Sequence, residues 1–112
     1  MPGHARKEMF RIIVAVLTLL FFVFLIYAGA LNNEFVHFDD YQYIVDNTRI
    51  QGGLSWETLR WAFTTFYQAN WHPVTWISHL ADMELFGLNP RWHHTVNLVL
   101  HLSGTVLLFL LL

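Results

Sequence analysis

Residues 12–31 read IIVAVLTLLFFVFLIYAGAL, twenty positions without a charged side chain. As an α-helix rising 1.5 Å per residue, this run reaches about 30 Å, the thickness of the hydrocarbon layer of a bilayer. Backbone groups in lipid must bond one another, and a continuous helix achieves that within a single segment. Arg6, Lys7 and Arg11 before the run and Ala28-Gly29-Ala30 at its end also fit a cleaved secretory signal. The run exceeds the usual apolar core of such signals, about 7–15 residues, so a spanning helix is the expectation.

A second charge-free stretch begins near Thr95 and continues to Leu112. Asn89-Pro90 reads as a helix cap followed by a proline in the first helical position, with Arg91 and Trp92 at the water boundary. The second membrane helix is expected over residues 92–112. Its LLFLLL end, lacking a polar or basic flank, suggests an N-terminal fragment of a longer protein.

Charge sets the expected orientation. Residues 1–11 carry Arg6, Lys7 and Arg11 against Glu8, whereas residues 32–91 carry Glu34, Asp39, Asp40, Asp46, Glu57, Asp82 and Glu84 against Arg49, Arg60 and Arg91. The positive-inside bias predicts a cytoplasmic N-terminus and an extracytoplasmic loop, in a multi-pass protein of the cell (inner) membrane. Only 12% of residues are charged, about half the soluble norm, and the lipid bilayer is the first partner implied. A formal charge of −2 with scattered cations excludes a nucleic-acid surface. The absence of cysteine excludes disulfides and thiolate metal sites, leaving His, Asp and Glu as ligands for any divalent metal.

The loop at residues 32–91 holds four of the five tryptophans, too apolar a composition for a disordered linker. Ser55 can cap a helix near residues 56–66, with Glu57 in its first turn and Trp56, Leu59, Phe63 and Phe66 at helical spacing. Such a stripe suits the membrane interface or packing against further helices, and only Arg60 supplies the basic residue that direct lipid binding favours. A second helix is expected over residues 73–86, starting at Pro73 and stopping at Gly87, with apolar residues around most of its circumference. The chain thus reads as an all-α membrane protein, two transmembrane helices joined by an outer loop with short interfacial helices.

Three sets of residues can carry chemistry. Asp39 and Asp40 form a carboxylate pair flanked by Phe38, Tyr41 and Tyr43, eight or nine residues past the first membrane helix. Burial and a like-charged neighbour both make a carboxylate a better proton acceptor near neutral pH, although a solvated turn or a cap on a helix starting at Tyr41 explains the same pair. His72 precedes Pro73, which drives it toward an extended backbone at a helix start. There it can hold a phosphate, relay a proton or bind a metal, although a structural hydrogen bond explains the same residue. His94, Asn97 and His101 share one face of the second membrane helix, where polar groups meet the protein interior, a wet cavity or partner helices. His93 with His94 could begin a metal pair, but no carboxylate at ligand spacing completes it. No metal residues are assigned, and no cofactor beyond a possible divalent ion is implied.

Taken in order, FVHFDDYQYIVDN, GLSWETLRWAF and WHPVTWISHLADMELFGLNPRWHHTVNLVLHL resemble the opening of bacterial GT-C-type membrane glycosyltransferases. The likeness is strongest to the group whose membrane part precedes tetratricopeptide repeats, related to the eukaryotic transmembrane O-mannosyltransferases. The resemblance implies transfer of a sugar from a polyprenyl-phosphate carrier to an acceptor outside the cytoplasmic membrane. It also implies an acidic active-site residue from the first outer loop, here Asp39 or Asp40 with a slight preference for Asp39. His72-Pro73 matches the second recognisable loop segment, a substrate-binding candidate. The chain departs from the family in length: it lacks the repeats and most of the membrane helices, so the fragment is expected to be inactive alone. A small non-enzymatic membrane protein that binds partner helices is the alternative.

Overall fold

The computed structural model describes residues 2–112. Every regular element among them is helical: α1 Pro2–Tyr27, α2 Thr48–Gln51, α3 Trp56–Thr64, α4 Pro73–Phe86 and α5 Pro90–Leu111. A 3₁₀ turn follows α1 at Ala28–Asn32, a wide π-type turn occupies Tyr41–Val45, and a second 3₁₀ turn spans Tyr67–Ala69. The chain divides into two compact units, residues 1–32 with 94–112 and residues 33–93.

The first unit holds α1 and most of α5, both long and apolar enough to cross a membrane. None of the residues in the most apolar window of α1 is buried, so this is not the core helix of a soluble domain. Leu17, Phe21, Phe22, Leu25, Leu100 and Leu108 all face outward. Large exposed apolar surfaces of this kind are stable in lipid rather than water, and the protein is an all-α membrane protein. Leu20 of α1 borders a groove with Val99, Leu102 and Ser103, and Tyr27 and Ala30 border another with Asn97, Leu98 and His101. Partner positions fall along α5 as positions rise along α1, so the two helices run antiparallel. Thr18 and Ser103 return their hydroxyls to the carbonyls four residues earlier, which removes two polar donors from the apolar surface.

The second unit is built around Trp76, which has no exposed surface and packs with Ile44, Ile50, Ala62 and Leu80. Local rules set its helices. Ser55 and Thr58 exchange reciprocal side-chain and backbone hydrogen bonds at the start of α3, and the Thr58 hydroxyl also donates to the Gly53 carbonyl at 2.8 Å. Pro73 opens α4, and Gly87, with φ +58°, follows its last turn. The Asn89 side chain accepts from the Arg91 N–H at 3.2 Å at the start of α5, two residues before the expected position 92. Gly53 has φ +68°, and a Cβ there would collide with the Glu84 carboxylate, which accepts the Leu54 N–H at 3.1 Å.

The faces that α3 and α4 turn to the core follow from their neighbours. The stripe Trp56, Phe63 and Phe66 is exposed, with Leu59 half-buried, while α3 buries Thr58 and Ala62 against the core and Trp61 partly. The reason is the bulk of Trp76: the smaller face of α3 lets the indole approach. Helix α4 buries Trp76 and Leu80 on one side and Asp82 on nearly the opposite one, and leaves Val74 and Leu85 exposed.

Candidate functional site

Trp76 is the hub of an aromatic and imidazole cluster within residues 33–93. Tyr43 stacks on it at 5.0 Å, and Trp61, Tyr67 and His72 approach at 5.1, 5.8 and 4.9 Å. His79 lies 6.2 Å away on the next turn. Residues 72, 76 and 79 fall at i, i+4 and i+7, which aligns both histidines and the tryptophan along one side of α4. The Asn70 amide donates to the Tyr43 hydroxyl at 3.0 Å and fixes that ring from the segment preceding His72. Gln68 and Ala69 just upstream adopt φ of 57° and 59°, left-handed values that non-glycine residues adopt at a cost of about 1–3 kcal/mol each.

The expected site residues fall in two places. His72 is the N-cap of α4 and half-buried, with its edge toward Trp76 and Tyr43 and its Nε2 buried without a hydrogen bond. Asp40 is half-buried and immediately precedes the π-type turn. Its Oδ2 accepts the Val36 N–H at 2.9 Å, so one carboxylate oxygen closes the turn at residues 36–40. Asp39 is exposed and begins the same helical turn. His94, Asn97 and His101 lie together on the first unit, where they line a groove of about 300 Å³ with Tyr27, and the Tyr27 and His101 rings meet edge to face at 4.9 Å.

The fold also assembles a group that sequence spacing did not bring out. His79 and Asp82, at i and i+3 on α4, meet His93 of the first turn of α5, and one ligand-capable atom from each lies within 4.8 Å of the others. A carboxylate does therefore accompany His93: it is Asp82, eleven residues earlier, brought back by the turn at Gly87 rather than by proximity in sequence. The fold sets His93 against His79 and Asp82 rather than against its sequence neighbour alone. An H-x-x-D pair on a helix, followed by a glycine stop and a histidine in the next helix, is the signal that would have found it.

The electrostatics of this group follow from burial. The His79 imidazole is pushed down to about 4, chiefly by desolvation and further by His93 and His72, against an opposing pull from Asp40. Near neutral pH His79 is therefore uncharged. Burial pushes the Asp82 carboxyl above its usual range, and His93 opposes this. His93 is 2% exposed, and its Nε2–H donates to the Gly87 carbonyl at 2.8 Å, because a carbonyl can only accept. Its Nδ1 then faces Asp82 Oδ2 across 3.8 Å, too long for a hydrogen bond.

No protein-family model matches the chain, and no solved structure does. Among curated proteins, it is 33% identical over 95 residues to a protein O-mannosyl-transferase, TMTC1, of Mus musculus. That match takes in 75% of this chain and 10% of the mouse protein, so the chain spans about a tenth of the length of the relative it matches. The chain is a membrane protein with a distant relationship to a glycosyltransferase.

Proposed function

We propose that this chain is the N-terminal membrane part of a GT-C-type glycosyltransferase. The observation that carries the reading is the similarity to a protein O-mannosyl-transferase across most of the chain. In this reading the N-terminus is cytoplasmic in the cell's inner membrane, as the Arg6, Lys7 and Arg11 cluster favours, and residues 33–93 work on the far side. The exposed Trp56, Phe63, Phe66 and Trp71 suit a unit that rests on the bilayer surface, where a polyprenyl-phosphate sugar is held by its tail.

Asp39 is the general base in this mechanism and Asp40 the residue that shapes its turn. Asp40 already spends one oxygen on Val36, whereas Asp39 is exposed to an incoming acceptor. The acceptor hydroxyl loses its proton to Asp39 as its oxygen attacks the anomeric carbon. The bond from that carbon to the phosphate oxygen breaks, and the electron pair leaves on the polyprenyl phosphate. A positioned base contributes about 10²–10⁴-fold. His72, at the positive end of α4, is the candidate for holding the phosphate. The test is sugar transfer from polyprenyl-phosphate mannose in membranes carrying the longest product of the gene. Asp39→Asn is expected to lower the rate by at least about 10²-fold with KM little changed, and Asp40→Asn less. Full activity in both variants would remove the general-base assignment.

A second reading rests on the first unit alone. Asn97 and His101 are exposed at membrane depth, where polar groups seek partners, so the His94, Asn97 and His101 face could instead bind other membrane helices in a non-enzymatic protein. A coding frame that continues past Leu112 into further apolar helices favours the enzyme, and a stop codon there favours this alternative.

A further inference from the structure

We propose that His79, Asp82 and His93 bind one divalent transition-metal ion of the zinc class, through Nδ1 of His93, an imidazole nitrogen of His79 and a carboxylate oxygen of Asp82. The inference concerns the fold of residues 33–93 and stands whether or not the chain transfers sugar.

Four observations converge on it. The donor set, two imidazoles and a carboxylate, is one that zinc accepts with a water in the fourth position. The three ligand atoms already lie within 4.8 Å of one another, and Asp82 Oδ2 and His93 Nδ1 are 3.8 Å apart. A tetrahedral ion with bonds of about 2.0–2.2 Å needs ligand atoms about 3.4 Å apart, so closure takes side-chain shifts on the order of 1 Å. The Gly87 carbonyl accepts the Nε2 proton of His93, which orients the ring and leaves Nδ1 as a lone pair, the role that backbone carbonyls play behind metal-bound histidines. Finally, Nδ1 of His93, in a side chain 3% exposed, and Nδ1 of His79 are both buried with no hydrogen bond among the described residues. A buried acceptor left without a donor is costly, and a dication among the three side chains satisfies Nδ1 of His93 together with the Asp82 carboxylate.

A proton on His93 Nδ1 is the competing arrangement. It would put an imidazolium beside Asp82 but would still leave Nδ1 of His79 without a partner. The metal instead takes one lone pair from each imidazole and needs His79 uncharged, the form its burial already favours. The ion would then tie α4 to the first turn of α5 across Gly87–Asn89.

The experiment uses the whole 112-residue chain, purified in detergent without a polyhistidine tag and stripped with chelator. After Zn²⁺ is added and the sample gel-filtered, about one zinc per chain is expected, with thermal unfolding shifted upward by several degrees. His79→Gln, Asp82→Asn and His93→Gln should each weaken binding at least about tenfold, while His4→Gln and His37→Gln leave it unchanged. Zinc well below one per chain, or binding that survives all three site substitutions, would overturn the proposal. Co²⁺ on the unsubstituted chain decides the matter if a variant fails to fold. Intense visible absorption of a four-coordinate site supports the inference, and the weak spectrum of six-coordinate aqueous cobalt sinks it.

Discussion

In residues 2–32 and 94–112 the large apolar side chains lie on the outside, whereas in residues 33–93 Ile50, Leu80, Asp82 and His93 are drawn inward with one tryptophan, Trp76. The same amino-acid types are sorted in opposite directions within one short chain. The solvent each unit is built for explains this. Lipid welcomes exposed leucine and phenylalanine and makes helix continuity the main requirement, while a unit facing water must bury apolar surface and satisfy every polar group it buries with it. The two units should therefore respond to different perturbations.

The largest effect is expected from Trp76→Ala. Removing a fully buried indole that touches helices α3 and α4 should cost the loop unit about 3–5 kcal/mol, enough to abolish its near-ultraviolet circular dichroism. Membrane insertion of α1 should be unaffected, and loss of both together would mean that the two units do not fold separately. The reverse test is Leu17→Arg, at an exposed position near the middle of α1. It should weaken insertion by about 2.5–3.5 kcal/mol in a translocation assay and leave the near-ultraviolet signal of the loop unit intact.

The smallest expected effect is on pH. His79 titrates near 4 when folded and near 6.5 when unfolded, so both states are neutral above 6.5 and stability is fully present there. As pH falls through 6.5 the unfolded chain takes up the proton first, and stability declines until the folded imidazole also protonates near 4. The full shift corresponds to about 3 kcal/mol by pH 4, and because His79 is only partly buried, solvent screening should hold the loss to about 2 kcal/mol in chelator-treated protein. Denaturant titrations from pH 7.5 to 4 should show this slope in the unsubstituted chain and lose it in His79→Gln. An unchanged slope in that variant would assign the dependence to other groups.

Much of the helical framework can be read from the sequence because its determinants are local. Charge-free runs reveal both membrane helices, and Ser55, Pro73, Gly87 and Asn89 act on backbone groups within a few residues of themselves. The buried face of α3 could not be read this way. The apolar stripe of Trp56, Phe63 and Phe66 marks the outward face, and only the indole from α4 shows that Ala62 marks the inward one. The candidate site divides similarly. Asp39, Asp40 and His72 stand out by type and neighbourhood, but the meeting of His79, Asp82 and His93 depends on how α4 and the start of α5 fold back over Gly87. No spacing rule within one helix reports that closure.

The hydrogen bond from the Leu54 N–H to Glu84 spans thirty residues of chain. The segment leading into α3 is therefore completed by a side chain that the ribosome adds much later. During synthesis, residues 47–64 emerge with their helix signals intact but without the carboxylate that holds Gly53 and Leu54 in position. The loop unit can acquire its final shape only after α4 has left the ribosome, so its assembly is timed by its C-terminal half.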